Sequence, residues 1–245
     1  MKQIIQKYAL KAALLAGLLT LTAGGMALSA HMTKLRDPDA VQTVGSASAP
    51  VIVLDAGHGG IDGGCSTADG IPEKGINLSI LLDLRDLLTF SGYEVHVTRD
   101  TDRSIHDSGV TGIANQKRSD MENRLAILNA PKDAVCISIH QNQFTDPQYS
   151  GAQMFYSAAN PRSEALAGTL QSAFQTMLQP RNSREIKLCG KELYLCDQCR
   201  HPMVMAECGF LSNPEEAALL VTDEYQHKVA FTIYSAIQQW FAAGM

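Results

Sequence analysis

These 245 residues contain no run of basic charge, no internal repeat and no low-complexity tract. Lys and Arg number 20 against 25 Asp and Glu, for a net charge of −5. No large basic patch is therefore available to neutralise phosphates, which excludes nucleic acid as the main partner. The absence of a repeat excludes a stacked-repeat array. A single C-x-x-C, Cys196 to Cys199, has no second C-x-x-C to complete a zinc site and no redox-fold pattern around it. What remains is ordinary globular composition, 45% hydrophobic and 18% charged, in a chain long enough for one sizeable domain.

The first 30 residues differ from the rest. Lys2, Lys7 and Lys11 make a positive start, and no residue from Ala12 to Ala30 is charged. This reads as a secretory signal peptide, with Ala27 and Ser29 as the small residues before a cleavage site, or as an uncleaved membrane anchor. Either reading places the remainder outside the cytoplasm and confines membrane contact to residues 1–30. Residues 31–47 are polar and aperiodic and read as a linker. The domain proper is residues 48–245.

Within it, strands are expected at Val51 to Leu54, Tyr93 to Val97, Val135 to Ile139 and Ala152 to Tyr156, with short ones at Glu192 to Leu195 and Val204 to Ala206. Helices are expected at Asn77 to Phe90, Ser119 to Asn129, Ser163 to Leu178 and Asp223 to Phe241. Ser119 and Glu122 have the spacing of a capping box. Residues 100–118 read as a long polar loop. Strands alternating with helices predict a single α/β domain: a mostly parallel or mixed twisted sheet with helices on both faces.

Four residues stand in short, distinctive contexts: His58 in LDAGHGG, Glu73 in EKGINLSI, His140 in SIHQN and Glu207 in MAECGFLSN. His58, His140 and Glu207 fall at or just beyond strand ends, where open α/β sheets bind ligands, and Glu73 opens the helix that follows the first loop, from where it can reach the same crevice. Two imidazoles and a carboxylate are a catalytic zinc set with one position left open, and a further carboxylate outside that set can move protons. Asp55 is either an acceptor for a metal-bound imidazole or a turn residue. His96, His106 and His201 have no carboxylate at a ligating spacing. Among the six cysteines, Cys136 lies in an apolar strand-like run, Cys65 and Cys208 flank motif residues, and Cys189, Cys196 and Cys199 cluster. Structural disulfides or free thiols are favoured over a separate metal or redox site.

In order and spacing, the D-x-G-H-G-G loop, the later Glu73, S-I-H-x-N and E-x-G-F-L-S-N resemble the zinc-dependent N-acetylmuramoyl-L-alanine amidases of bacterial cell-wall turnover, over roughly residues 50–243. The resemblance implies zinc at His58, Glu73 and His140, with Glu207 taking the proton of the attacking water and returning it to the amine of L-alanine. Arg124 and Asn142 are then substrate-contacting or supporting groups, although Arg124 can instead pair with a carboxylate on its own helix and Asn142 can instead be a turn residue. TRDTD at 98–102, SGAQMFYS at 150–157 and the N-terminal apolar segment look like the germination-type amidases of spore-formers. That subtype implies a peptidoglycan glycan-peptide substrate, cortex maturation before lactam formation, and leaves room for an activating accessory protein. The cysteines at 189–199 depart from its pattern. The rival readings are a zinc peptidase or deacetylase on other wall bonds, a non-catalytic wall-binding relative, and a thiol redox protein using Cys196 and Cys199.

Overall fold

The computed structural model describes residues 51–244. The expected export segment and linker lie outside the described residues. In chain order the elements are strand β1 (Val51–Ala56), helix α1 (Glu73–Phe90), β2 (Val95–Val97), α2 (Ile113–Leu128), β3 (Ala134–Asn142), β4 (Gln153–Tyr156), α3 (Ser163–Ala173), β5 (Lys187–Leu188), α4 (Tyr194–Gln198), β6 (Met203–Phe210), α5 (Pro214–Leu220) and α6 (Asp223–Ala242). The six strands form one sheet in the order β2-β1-β3-β6-β4-β5. Its pairs are parallel except β4 with β6, which is antiparallel. This is the expected α/β fold in its mixed form.

Alternation along the three central strands decides which side of the sheet carries chemistry. Ile52, Leu54 and Ala56 of β1, Val135, Ile137 and Ile139 of β3, and Val204, Ala206 and Cys208 of β6 enter one large core cluster. That cluster is completed by α1, α3 and α6 through Ile80, Leu84, Leu166, Leu170, Ile233 and Trp240. Successive side chains leave a strand on opposite faces. Val53, Cys136 and Met203 therefore join a second cluster on the other face, with Leu128 of α2 and Leu195 and Cys196 of α4. Asp55, Ser138, His140, Met205 and Glu207 share that second face by the same parity. The register aligns them across strands: Asp55 opposes Ser138, Ser138 opposes Met205, and His140 opposes Glu207.

Helix α1 shows how packing positions one ligand candidate. Its buried stripe runs Glu73, Ile76, Asn77, Ile80, Leu81, Leu84 and Leu88, at the i, i+3, i+4 spacing of a core-facing helix. Each fully buried leucine of such a stripe contributes about 1.5–3 kcal/mol over an exposed one. The first turn of the same stripe carries Glu73 and Asn77 inward instead of an apolar residue.

Several boundaries differ from expectation. Helix α1 starts at Glu73, four residues ahead of the apolar stretch expected from Asn77, and β1, β3 and β6 all extend further, so His140 and Glu207 lie within strands rather than at their ends. Helix α2 begins at Ile113, not Ser119, because residues 113–118 are almost wholly solvent-facing and carry no apolar period to betray a helix. Ser119 is thus no cap. Its hydroxyl accepts from the Asp107 N–H at 3.0 Å and donates to the Asp107 carboxylate at 2.9 Å, pinning the preceding loop. No strand forms over Glu192 to Leu195: the edge place beside β4 is taken by Lys187–Leu188, and the chain then turns into α4. Helix α5 is capped by the Asn213 side chain accepting from the Glu216 N–H, with Pro214 at its first turn. The helix expected to Leu178 is α-helical to Ala173 and widens to a π-turn over Phe174–Leu178.

Candidate metal and catalytic site

The loop after β1 turns sharply to bring His58 back over the strand ends. His58 adopts φ 63°, in the left-handed region that costs a non-glycine residue on the order of 1–3 kcal/mol. Its neighbours over-determine that conformation. Arg124 donates to the His58 carbonyl at 2.6 Å, and the His58 Nδ1 meets Asp62 Oδ2 at 2.9 Å. Two glycines make room. A β-carbon on Gly57 would lie 2.2 Å from His140 Cε1, and one on Gly64 (φ +70°) would lie 2.4 Å from Glu73 Cγ.

The three sequence-predicted ligand candidates converge. His58, Glu73 and His140 offer ligand atoms that all lie within 4.8 Å of one another. Glu73 Oε1 sits between the imidazoles, 3.0 Å from His58 Nε2 and 3.2 Å from His140 Nδ1. The two rings meet edge to face at a centroid distance of 5.0 Å. Asn77 Nδ2 donates to Glu73 Oε1 at 3.1 Å, and the Cys65 thiol and N–H hold Oε2 at 2.6 and 2.9 Å. Burial alone would push the Glu73 carboxyl up, but hydrogen bonds and charge from both imidazoles hold it far below the usual carboxylate range. The same carboxylate and Asp62 raise the His58 imidazole against the opposing effect of burial.

Glu207 faces this trio from β6 across the His140 register. Its Oε2 is buried and has no hydrogen-bond partner. Burial is the main reason its carboxyl is pushed up to about 7, with His140 lowering it and Glu73 raising it. Two imidazole nitrogens, one carboxylate oxygen and an unpartnered carboxylate opposite them fit a zinc ion with an open position. A cavity of about 400 Å³ opens over the group, walled also by Met121, Met205 and residues 192–195.

Arg124 resolves towards its own helix. It is 1% exposed, and its guanidinium donates to Asp120 at 2.6 Å, Asp55 at 2.7 Å and the Ala56 carbonyl at 2.7 Å, besides His58. Asp55 is therefore neither a turn residue nor an imidazole acceptor. It is a strand residue whose carboxylate takes Arg124, Thr98 at 2.8 Å and Ser138 at 2.5 Å. Asn142 ends β3 on the cavity wall, its side-chain oxygen accepting from the Gln143 N–H at 2.8 Å. His96, His106 and His201 stand apart, against Glu94, Ser104 and the Pro131 carbonyl. Cys196 and Cys199 are fully buried, so neither presents a thiolate to a substrate.

Sequence reading missed four supports. Asp62 follows His58 by four residues and was the acceptor that Asp55 was not. Cys65 holds Glu73. Lys117 pairs with Asp62 at 2.8 Å. Arg99, wholly buried, donates to the Ala56, Gly57 and Lys74 carbonyls at 3.0, 3.0 and 2.7 Å. Only Asp62 left a local signal, its spacing from His58.

Replacing Arg124 with methionine leaves Asp55 buried without its cation. Arg124→Met is expected to lose about 3–5 kcal/mol of stability, measured by urea unfolding. Acid exposes the same pair. Burial raises Asp55, but Arg124, His140 and the hydroxyl donors outweigh it, so its native pKa lies below the unfolded value of 3.8. The unfolded chain then takes up the proton first. The stabilisation is fully present above pH 3.8 and is lost as pH falls below it. Unfolding midpoints across that range should drop more steeply for the natural chain than for Asp55→Asn.

Residues 52–239 match the model of the family described as N-acetylmuramoyl-L-alanine amidase. The chain is 34% identical over 194 residues to the germination-specific N-acetylmuramoyl-L-alanine amidase of Bacillus subtilis, covering 79% of this chain and 81% of that protein. Among solved structures it is similar to the CwlD amidase of Clostridioides difficile in complex with the GerS lipoprotein, at a TM-score of 0.77 and 36% identity, covering 80% of this chain and 100% of that one. An N-acetylmuramoyl-L-alanine amidase from Clostridium difficile 630 aligns at a TM-score of 0.69 and 25% identity, covering 79% and 97%. On sequence and fold alike, the chain belongs to the N-acetylmuramoyl-L-alanine amidase family.

Proposed function

We propose that this chain hydrolyses the amide between N-acetylmuramic acid and L-alanine in peptidoglycan, with His58, Glu73 and His140 holding zinc and Glu207 moving the proton. The observation that carries the reading is the meeting of three ligand atoms within 4.8 Å beneath a buried, unpartnered Glu207 oxygen. A zinc ion there supplies Lewis acidity towards water and the scissile carbonyl. Glu207 accepts the proton of the attacking water and delivers it to the departing alanine nitrogen, and a carboxyl poised near neutrality suits both transfers. Asp62 holds the His58 ring by its second nitrogen, and Cys65 and Asn77 fix the Glu73 carboxylate, so the donors are oriented before any ligand arrives. Arg124 acts through the loop it grips, while Asn142 on the cavity wall meets the substrate.

The germination-specific relative supports a role in spore cortex maturation and germination. The lipoprotein bound to the Clostridioides difficile amidase supports an accessory partner for this chain too. Cell-wall amidases work outside the cytoplasm, in keeping with export through residues 1–30 ahead of a linker at 31–47 and a catalytic domain at 48–245. Among the described residues no helix is long and apolar enough to cross a membrane.

The purified chain, given zinc and peptidoglycan fragments, should release intact stem peptides with a new N-terminal alanine, read by mass spectrometry, and a chelator should abolish the release. Cleavage of a different bond would overturn the amidase reading. Glu207→Gln should keep its zinc while kcat falls by about 10²–10⁴-fold or more, whereas His140→Ala should lose zinc on dialysis. A Glu207→Gln enzyme with near-normal turnover removes Glu207 from proton transfer.

A further inference from the structure

A second cavity, of about 710 Å³, opens past the start of β4 and the end of β6, with Tyr149, Ser150, Asn182, Arg184 and Glu216 in its wall. The segment between β3 and β4 borders both cavities. Gln143 stands on the wall of the first, and Gln148, Tyr149 and Ser150 on the wall of the second. Gln153 joins them. It opposes Glu207 in the β4–β6 register, so the two side chains leave the same face with β-carbons about 4.5–5.5 Å apart. Its Nε2 donates to the Glu185 carbonyl at 2.9 Å, and its Oε1 accepts from Arg184 Nη1 at 3.1 Å. Gln153 thus bridges the position of Glu207 to Arg184.

Arg184 is held in place from several sides. Its Nε donates to the Ser150 carbonyl at 2.8 Å. The guanidinium carbon lies 4.5 Å from the centre of the Phe210 ring and 5.7 Å from that of Tyr149. Its own N–H donates to Asn182 Oδ1 at 2.9 Å, and its carbonyl accepts from Gln175 Nε2 at 2.9 Å. Gln175 belongs to the π-turn Phe174–Leu178, a distortion that recurs at functional sites. Asn182 Nδ2 is in turn tied to the Ala152 carbonyl at 2.8 Å. Among the described residues the guanidinium spends two of its five N–H donors, which leaves both on Nη2 and one on Nη1. Both acceptors are neutral. The Glu216 carboxylate in the same wall is committed elsewhere, accepting from the Gly151 and Phe210 N–H groups, each at 2.8 Å. A half-buried guanidinium, packed on aromatic faces and oriented with an open fork of donors, suits a planar anion, a carboxylate.

The substrate decides which carboxylate. The lactyl carboxyl of muramic acid is consumed in the scissile amide, so the N-acetylated glycan offers no anion at that point. The stem peptide ends in a carboxylate whatever its sequence. Building on the amidase reading, we propose that Arg184 is a specificity residue that takes a carboxylate of the stem peptide. With the scissile amide at Glu207, the peptide then runs over Gln153 and along the start of β4 into the second cavity. Tyr149 and Phe210 withhold water from one side of the guanidinium, which strengthens the ion pair once the peptide lies on the other.

The test compares two synthetic ligands on the zinc-loaded full chain: a stem peptide with a free N-terminal alanine, and its twin with every carboxyl converted to carboxamide. Neither contains the muramoyl amide, so calorimetry reads binding without turnover. The natural chain should bind the carboxylate form about 10–100-fold more tightly. Arg184→Gln should bring that ratio to about one. Arg184→Lys keeps the charge but not the fork, and should show an intermediate ratio. A merely structural role would weaken both ligands together and leave the ratio unchanged. Equal binding of the two ligands by the natural chain overturns the proposal, as does the natural ratio persisting in Arg184→Gln or, should that variant fail to fold, in Arg184→Lys. The matching muramoyl peptides separate the subsite from the amidase reading. Cleavage of both at equal kcat/KM keeps the amidase and removes the subsite. Carboxylate-selective binding that depends on Arg184, with neither muramoyl peptide cleaved, keeps the subsite and removes the amidase.

Discussion

The buried ion pair between Arg124 and Asp55 is the constraint on which the rest of the site depends. Taking both charges out of water costs several kcal/mol per ion, which attraction repays only when the remaining donors and acceptors are satisfied. Here they are. The guanidinium reaches two carboxylates and two carbonyls, and the Asp55 carboxylate also takes two hydroxyls, from Ser138 of β3 and from Thr98 just past β2. Two of those contacts, to the carbonyls of Ala56 at the end of β1 and of His58, hold the turn that keeps a histidine in a strained conformation. Arg99 grips the same loop through the Ala56 and Gly57 carbonyls. One charge pair thus ties β1, β3 and α2 to the turn that presents His58.

Strand parity does the remaining placement. Because side chains alternate, the residues that fill the large core and those that meet in the cavity are interleaved on the same three strands. His140 and Glu207 stand opposite each other in register, so their approach follows from backbone pairing and not from loop conformation. Glu73 arrives differently, on the first turn of a helix whose later turns are apolar and anchor it. A carboxylate on rigid packing, two imidazoles and a carboxylate with an unpartnered oxygen make a site whose geometry is set by the fold itself.

Much of this was legible in the chain. The apolar β-branched runs announced the central strands, and the His58, Glu73, His140 and Glu207 segments stood out because each is short and distinctive and stands at or near an expected strand end or helix start. What escaped was long-range or disguised. Residues 113–118 form helix without an apolar face, so the periodic signal was absent. Leu193 and Leu195 alternate like a strand, but the edge place beside β4 was already filled by Lys187–Leu188. Asp55 sits next to the loop and invited a role beside an imidazole, yet its partners are Arg124, Thr98 and Ser138, all of them far along the chain. Cys65 and Arg99 support the site only through contacts that no spacing rule reveals.

The single antiparallel neighbour in the sheet has its own consequence. Because β4 runs against β6, it is the start of β4, not its end, that lies beside the rim where Glu207 stands, with Gln153 opposite it in register. The segment entering β4 therefore starts at the cavity wall with Gln143, and beyond it the Phe144 and Tyr149 rings stack edge to face at 4.8 Å with about half their surface open. A parallel strand would have sent its connecting chain away from that rim. The reversal brings the chain between β3 and β4 back to that rim, where a surface loop can change in length and chemistry while the sheet, the charge pair and the four converging residues stay untouched.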